Sequence, residues 1–262
     1  MKALITGASS GFGYDMAKNL SERGYDIIAV ARREDKLLEL KKSLKTQVEV
    51  VVCDLTDEKS VRELALKAEN VDIFINNAGF GVFGNFDETD LDRELKMIDT
   101  NVKAVHILTK LVVKAFKERG YGYILNVASL ASFFPGPLFS GYYATKSYVL
   151  RLTQSIYEEL RREKSKVQIC ALCPGPAHTG FANEAKVNFG TDKDKGAGFV
   201  VLSSKKVADY AIKKMFKGKP VIIPGLLMKT VVFARHFLSD RALARIIYLV
   251  QSKKCVIKDE KR

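Results

Sequence analysis

The first thirteen residues contain the segment that decides the fold, Ala3-Leu4-Ile5-Thr6-Gly7-Ala8-Ser9-Ser10-Gly11-Phe12-Gly13. Its apolar start predicts a short buried strand, and the pattern from Met16 to Arg23 predicts a helix that ends at Gly24. A glycine-rich turn between a strand and a helix lets backbone N–H groups approach a pyrophosphate. The Gly-x-x-x-Gly-x-Gly spacing also suits an ordinary tight turn, so this motif alone leaves both interpretations open.

Strand and helix patterns alternate from this segment to about residue 225. Strands are predicted at Ala3–Ile5, Asp26–Ala31, Val48–Val52, Ile73–Ile75, Ile124–Ser129, Val167–Cys173 and Val221–Ile223. Later helices are predicted at Glu34–Lys45, Lys59–Glu69, Leu91–Phe116, from near Gly141 to Arg162, and at Lys205–Phe216. The alternation predicts an α/β fold with a doubly wound parallel sheet.

Polar residues stand at the carboxyl ends of five of the predicted strands. They are Thr6, Arg32, Asp54, Asn76 and Ser129. Ligands of an open parallel sheet bind outside the carboxyl ends of its strands. The coincidence of five polar residues at such ends therefore predicts a ligand cleft along this edge.

Three of the residues around the fifth strand suggest acid/base chemistry. Tyr142 and Lys146 are four apart, so a helix places them on one face, opposite the Ser129 hydroxyl at the strand end. We expect the Lys146 ammonium to lower the pKa of the Tyr142 phenol from about 10. Tyr142 could then exchange a proton with a carbonyl or alcohol oxygen to which Ser129 hydrogen-bonds.

The end of the second strand predicts the cofactor. An acidic residue there would bind ribose hydroxyls, whereas a neutral residue followed by arginine suits a 2′-phosphate. The chain has Ala31 followed by Arg32 and Arg33, and Ser9 in the glycine loop is a further candidate donor to the phosphate. The arginines could instead simply flank the next helix, but the pattern favours NADP(H).

Other polar residues have ordinary alternatives. Asp54 could meet an adenine amino group or cap the helix beginning near Lys59. Asn101 lies on an apolar helix stripe and must be hydrogen-bonded there, and the ordinary alternative is that it caps a kink or bonds to a backbone carbonyl. Cys170 and Cys173 have CxxC spacing but lie on one predicted strand without a second pair, so buried inert thiols are expected and no metal site is predicted.

Together these motifs resemble the short-chain dehydrogenase/reductase family, over roughly the first 225 residues. The resemblance rests on Thr6-Gly-x-x-x-Gly11-x-Gly13, Asn76-Asn77-Ala78-Gly79, Asn101, Ser129, Tyr142-x-x-x-Lys146 and Pro174-Gly175, in that order. It implies a single-domain Rossmann fold with helices on both faces of the sheet. It also implies hydride transfer between a nicotinamide and a carbonyl or secondary alcohol carbon.

The resemblance implies a role for each matching residue. Tyr142 would be the acid/base, with Lys146 holding the nicotinamide ribose, Ser129 orienting the substrate oxygen and Asn101 supporting a proton relay. Thr179 would contact the carboxamide or the pyrophosphate. The expected cofactor-binding residues are Gly7, Ser9, Ser10, Gly11, Phe12, Gly13, Arg32, Arg33, Asp54, Leu55, Asn77, Ala78, Gly79, Tyr142, Lys146, Pro174, Gly175 and Thr179.

Length and composition indicate the number of domains, the cellular compartment and the type of partner. The 262 residues suit one large domain, and the four cysteines give no disulfide framework. With no secretory leader at Met1 and no apolar run of membrane-spanning length, a reducing, cytoplasmic location is expected. The net charge of +13 is spread along the helices, which favours a solvated surface over a nucleic-acid interface. A catalytically silent NADP(H) sensor on the same fold is the alternative function.

The regions outside these motifs are expected to determine the substrate specificity and the oligomeric assembly. Three loops rich in phenylalanine, at 80–86, 133–139 and 181–189, should converge on an apolar pocket for a lipid or long-chain ketone. The polar segment 181–199 is expected to be a lid. Residues 226–262 form an apolar and basic helical extension. We expect the extension to pack on the protein or in a homodimer or homotetramer, with an anionic membrane surface as the less favoured alternative.

Overall fold

A sheet of seven parallel strands organises the molecule. The computed structural model describes residues 1–178, 181, 187–188, 202–252 and 255–256. Its strands are β1 Lys2–Thr6, β2 Asp26–Ala31, β3 Val48–Val52, β4 Ile73–Asn76, β5 Gly122–Val127, β6 Val167–Leu172, β7 Ala177–His178, β8 Val187–Asn188, β9 Leu202–Ser203, β10 Val221–Ile222 and β11 Cys255–Val256. The central sheet has the order β10-β6-β5-β4-β1-β2-β3, so the predicted doubly wound α/β fold is confirmed.

Helices connect the strands close to their predicted positions. They are α1 Gly11–Glu22, α2 Glu34–Ser43, α3 Glu58–Ala68, α4 Leu91–Ile98, α5 Val105–Arg119, α6 Ser140–Arg162, α7 Ser204–Met215, α8 Leu226–Ala234 and α9 Asp240–Gln251. The helix predicted from Leu91 to Phe116 is not continuous: a π-helical turn, Asp99–Ala104, separates α4 from α5. The 3₁₀ turns Leu130–Phe133 and Arg235–Phe237 follow β5 and α8.

Two apolar cores cover the two faces of the sheet. In β1, Ala3 and Ile5 pack with α1, α2 and α7, whereas Leu4 packs with α3, α5 and α6. Successive side chains of a strand point to opposite faces, and here both faces are buried, as in a parallel sheet covered by helices. The chain runs outward from β1 to β3 and then in the other direction from β4, which places a crevice at the carboxyl ends of β1 and β4.

A buried hydrogen-bond network fixes the carboxyl end of the sheet at β4 and β5. The Asn76 amide nitrogen donates to Thr109 Oγ1 at 3.1 Å and to Asn126 Oδ1 at 2.9 Å, and Asn126 donates to Thr153 Oγ1 at 3.0 Å. Each of these four side chains is buried. Asn76 therefore acts within the core, and the residues that can face a ligand begin after it.

The helical extension packs against the domain by one face only. Met228, Leu243 and Gln251 are buried, while Phe233 and Phe237 are exposed. No helix of the described residues is long and apolar enough to cross a membrane.

Candidate active site

The glycine-rich loop between β1 and α1 has no room for side chains at two positions. Gly7 has φ of +67°, which favours glycine, and a Cβ on it would lie 2.8 Å from Asn77 Nδ2. A Cβ on Gly13 would lie 2.4 Å from the Gly7 carbonyl oxygen. The two glycines therefore allow the loop to pack closely at the start of α1, and the N-terminus of a helix favours an anion.

Side chains from β1 and from the loop after β4 hold this backbone in place. Thr6 Oγ1 accepts from the backbone N–H groups of Asn77 and Ala78 at 3.0 and 3.1 Å. The Asn77 amide nitrogen donates to the carbonyl oxygens of Thr6 and Gly7 at 2.9 and 3.2 Å. Asn77 and Ala78, expected to bind the cofactor, are therefore parts of the wall that shapes the glycine loop.

Arg33, rather than Arg32, faces the glycine loop. Arg33 Nη2 donates to Ser9 Oγ at 3.2 Å and to Ser10 Oγ at 3.3 Å, whereas Arg32 is exposed without a described partner. Both arginines follow Ala31 at the end of β2. The sequence pattern favoured Arg32, the residue next to Ala31, as the phosphate ligand. In the structure the turn into α2 directs the Arg33 side chain back over the glycine loop instead. A guanidinium and two hydroxyls converge there, a donor set that suits a phosphate.

Asp54 does not cap a helix. Its carboxylate accepts from the Thr56 backbone N–H and from Thr56 Oγ1, both at 3.0 Å, while Asp57 accepts from Ser60 and caps α3. Of the two alternatives for Asp54, the cap is therefore wrong. Asp54 is exposed at the end of β3, next to the half-buried Leu55.

Ser129 and Tyr142 meet after β5. Ser129 Oγ accepts from the Ala131 backbone N–H at 3.1 Å, which leaves its hydroxyl proton to donate to another oxygen. Burial raises the pKa of Tyr142 above its ordinary value, and a hydrogen bond with the Ser129 hydroxyl partly offsets that shift. Tyr142 is consequently a protonated phenol at neutral pH, a group that can donate a proton.

Lys146 lies beside this pair but does not act as expected on the phenol. Its Nζ donates to the Val127 carbonyl oxygen at 2.8 Å and lies 5.9 Å from the centroid of the Tyr142 ring. Burial lowers the pKa of Lys146 to about 8. The prediction that Lys146 lowers the pKa of Tyr142 is wrong for the chain by itself, because loss of hydration dominates at both groups.

Asn101 sits in the π-helical turn and is fully buried. Its Nδ2 donates to the Phe80 carbonyl oxygen at 2.8 Å and to Thr145 Oγ1 at 3.1 Å, and its Oδ1 accepts from the Phe80 N–H at 3.2 Å. It thus joins the loop after β4 to the helix that carries Tyr142. The extra residue of a π turn points its side chain where a regular helix would not, which is why such turns concentrate at functional sites.

The comparisons with known proteins agree with this geometry. A family model for short chain dehydrogenases matches residues 1–188. The chain belongs to the short-chain dehydrogenase/reductase family. It is thus an oxidoreductase on a fold that binds a nicotinamide cofactor.

Three relatives show the range of this similarity. A probable NADP-dependent dehydrogenase of Haemophilus influenzae is 33% identical over 202 residues, covering 74% of this chain and 78% of that protein. The structure of a short-chain dehydrogenase from Sphingobium yanoikuyae in complex with NADPH has a TM-score of 0.77 at 28% identity and covers 92% of this chain and 99% of that one. A bulky-bulky ketone specific alcohol dehydrogenase from Comamonas testosteroni has a TM-score of 0.74 at 27% identity, covering 90% and 92%.

The nicotinamide cofactor of the dehydrogenase family fits the residues present here. Gly7 and Gly13 let the loop pack closely against the turn after β4, and the N-terminus of α1, which follows this loop, suits a pyrophosphate. Lys146 Nζ has one hydrogen-bond acceptor among the described residues, the Val127 carbonyl, so donors remain for ribose hydroxyls. A Cβ on Gly79 would lie 3.2 Å from Lys146 Nζ, so the loop after β4 borders the same space.

An aromatic cluster surrounds the candidate proton donor of this dehydrogenase. The Phe139 ring stacks on Tyr142 at 4.6 Å between centroids, and Phe181 lies 5.1 Å from Tyr142. Phe80, Phe83 and Leu138 pack in the same cluster. The predicted convergence of three loops is therefore confirmed for one or more residues of each loop.

Other predicted pocket residues lie elsewhere. Phe86 is 71% exposed, and Phe133 and Phe134 pack in a separate cluster with Ala128. Thr179, Phe189 and most of the expected lid 181–199, namely residues 182–186 and 189–199, lie outside the described residues. Pro174 and Gly175 follow β6, and a Cβ on Gly175 would lie 3.0 Å from the Met228 sulfur, so α8 covers this turn.

Three contacts near the site were not foreseen from the sequence. Gln251, at the end of α9, donates from Nε2 to Tyr143 Oη at 2.8 Å, and Arg235 Nη1 donates to the Phe133 carbonyl at 2.9 Å. Cys173, at the end of β6, is buried close to Lys146, and burial raises its pKa to about 12. Cys170 is also buried and free, so the expectation of inert thiols is confirmed, and the described residues hold no cluster suited to a metal. No local pattern in the sequence links these partners, which are 27 to 108 residues apart.

Proposed function

We propose that this dehydrogenase reduces an apolar ketone or aldehyde to the alcohol with NADPH as the reductant. The observation that carries the proposal is the buried Tyr142 phenol, which meets the Ser129 hydroxyl. A phenol of ordinary pKa, about 10, already carries its proton at neutral pH, and burial raises the pKa of Tyr142 further, so this group can donate to an oxygen that gains negative charge. The cofactor supplies the hydride to the carbonyl carbon.

The chain's own groups act on the carbonyl oxygen and hold the cofactor. Tyr142 donates its proton to that oxygen, and the Ser129 hydroxyl donates a hydrogen bond to it, since Ser129 Oγ is already fixed by the Ala131 N–H. Lys146 binds the nicotinamide ribose hydroxyls through the N–H groups that Val127 does not use. Asn101 holds Phe80 and α6 in place, and it thereby sets the distance between the cofactor and the Tyr142 phenol.

We infer NADP(H) rather than NAD(H) from the surroundings of β2. Ala31 offers no carboxylate to ribose hydroxyls, while Arg33, Ser9 and Ser10 lie together at the mouth of the glycine loop. Arg33 carries the positive charge that a 2′-phosphate requires, and Arg32 remains exposed beside it. The Haemophilus relative and the Sphingobium complex support this assignment by their named cofactors.

Replacing Arg33 with alanine should selectively weaken NADPH. Loss of a charge-assisted hydrogen bond costs about 1.5–3 kcal/mol, or about 10- to 150-fold in Kd, while NADH should change by less than about threefold. Isothermal titration with both cofactors measures the effect, and Arg32→Ala is the matched control with a smaller loss. Tighter binding of NADH than NADPH by the unmodified protein would contradict the assignment.

The aromatic cluster predicts the substrate class. Phe139 and Phe181 lie against Tyr142 with Phe83 behind them, so an apolar group beside the reacting carbonyl would be covered. Burial of each additional methylene contributes about 0.8 kcal/mol, so kcat/KM should rise about fourfold per methylene along a series of methyl ketones until the pocket is full. NADPH oxidation at 340 nm across that series measures it. A preference for hydroxylated short ketones over alkyl ones would overturn the substrate class.

Neither the described residues nor the comparisons favour the sensor hypothesis. A sensor needs cofactor binding alone, whereas this chain also places a buried phenol, hydroxyl and ammonium at the carboxyl end of β5. Turnover of any ketone in the series above excludes it. Tight NADPH binding without turnover of ketones or aldehydes would favour it instead.

A further inference from the structure

The C-terminal helix pair presents an exposed apolar surface, which we call the C-terminal face. It consists of Leu226, Phe233, Phe237, Ile246, Tyr248 and Leu249. Leu226 is 77% exposed, Phe237 75% and Phe233 66%. The Phe233 and Phe237 rings touch edge to face at 5.6 Å, so the two form one projecting aromatic pair. Large apolar side chains clustered on a surface mark an interaction site more often than single exposed ones do.

This surface belongs to a firmly attached element. Met228 of α8 is buried against Gly175, Leu243 of α9 is also buried, and Arg235 donates to the Phe133 carbonyl. Gln251 is buried and donates to Tyr143, at the far end of the pair. Because the inner faces of α8 and α9 are fixed at both ends, the outward apolar residues are held in position.

Positive charge surrounds the C-terminal face. Lys229, Arg241 and Arg245 are exposed on the same two helices, and no described acidic side chain forms an ion pair with any of them. On α9, Arg241 and Arg245 are four apart and share the outward side with Leu249. Residues 226–252 contain four Lys and Arg residues against one Asp, in a chain of net charge +13.

We propose that the C-terminal face binds the surface of a membrane that contains anionic lipids. Phe233, Phe237 and Leu249 enter the boundary between headgroups and acyl chains, and the arginines extend to the lipid phosphates. A twofold contact with a second copy would instead bring together two surfaces of the same positive charge. Charge complementarity therefore selects an anionic lipid surface.

The position of the face gives the interaction a consequence for the site. Arg235 joins the helix pair to Phe133, within the segment between Ser129 and Tyr142, and Gln251 joins it to Tyr143, directly after that segment. A bound membrane would thus lie beside the aromatic cluster, which would suit delivery of a membrane-dissolved substrate. That consequence rests on the proposed function, whereas the binding itself does not.

Flotation of the full-length protein with vesicles tests the proposal without any turnover. We expect co-flotation with vesicles of equal parts phosphatidylcholine and phosphatidylglycerol, and little with phosphatidylcholine alone. Arg241→Gln with Arg245→Gln should weaken binding about fivefold for each arginine removed. Phe233→Ser with Phe237→Ser should weaken it at least about tenfold. All four side chains are exposed, so folding should be retained, as circular dichroism can verify.

Matched changes on other helices serve as controls. Leu66→Ser on α3 removes an equally exposed apolar side chain, and Lys213→Gln on α7 removes an exposed charge; neither should alter flotation. Absence of flotation with the vesicles that contain phosphatidylglycerol overturns the proposal. A second result would also overturn it: the parent protein binds no lipid, and sedimentation shows that the Phe233→Ser, Phe237→Ser variant forms a smaller oligomer than the parent. That result would assign the C-terminal face to contact with a second copy.

Discussion

Tyr142→Phe is expected to lower kcat for ketone reduction by about a thousandfold, near the middle of the range for removal of a general acid. The substitution keeps the ring, which stacks on Phe139 at 4.6 Å, and removes only the hydroxyl that meets Ser129. NADPH affinity should change by less than about twofold, because Lys146 donates to Val127, and its proposed contact with the ribose does not involve the phenol oxygen. Single-turnover NADPH oxidation, with binding followed by fluorescence, separates the two quantities.

Tyr143→Phe is the matched control, since it removes a neighbouring phenol of the same helix. Tyr143 Oη accepts from Gln251 Nε2 at 2.8 Å, and no described group contacts Gln251 Oε1. Its loss should therefore destabilise the protein by about 1–3 kcal/mol, the cost of an unpaired buried polar group, and leave kcat within about tenfold. An active Tyr142→Phe enzyme together with an inactive Tyr143→Phe enzyme would show that the neighbouring tyrosine is the proton donor.

The fold was accessible from sequence because its signals are local. The apolar runs from Ala3 to Ile5 and from Val48 to Val52 predict strands, and the glycines of the first turn indicate where backbone must come close. The same locality explains the predicted meeting of Ser129 with Tyr142, which a short loop joins. The hydrophobic periodicity and the spacing of the motifs are enough to predict these features, because none of them depends on a contact between distant segments.

What the sequence could not give depends on how backbone turns direct side chains and on contacts between distant segments. Arg32 and Arg33 are equivalent in a pattern, yet the turn into α2 decides that Arg33 reaches Ser9. The π turn at Asn101 looks like an ordinary stretch of helix in the sequence, because its apolar stripe continues from α4 into α5. The pairing of Gln251 with Tyr143 spans more than 100 residues and has no periodic signal.

Lys146→Met should make the cofactor-free protein more stable while lowering kcat/KM at least about a hundredfold. Methionine matches the length of the lysine stem, and it removes an ammonium that is buried at the end of β5. Burial lowers the pKa of Lys146 from 10.5 to about 8, which corresponds to a cost of about 3 kcal/mol for the charged form. Loss of the hydrogen bond to the Val127 carbonyl offsets part of the gain, so about 1–2 kcal/mol should remain at pH 7.

The pH dependence of that difference identifies its cause. Below pH 8 the folded and the unfolded chain both carry the Lys146 proton, and the cost of the buried charge is fully present. Between pH 8 and 10.5 only the unfolded chain keeps the proton, so the stability of the unmodified protein rises with pH relative to the variant. The difference in unfolding free energy, from urea titrations at each pH, should therefore shift by about 3 kcal/mol in favour of the unmodified protein across this window. Lys110→Met, at an exposed position of α5, should show no such dependence. The opposite outcome is a Lys146→Met protein that is less stable than the unmodified protein at pH 7, by an amount that does not change with pH. It would mean that Lys146 stabilises the fold, and that its buried charge does not lower stability for the sake of cofactor binding.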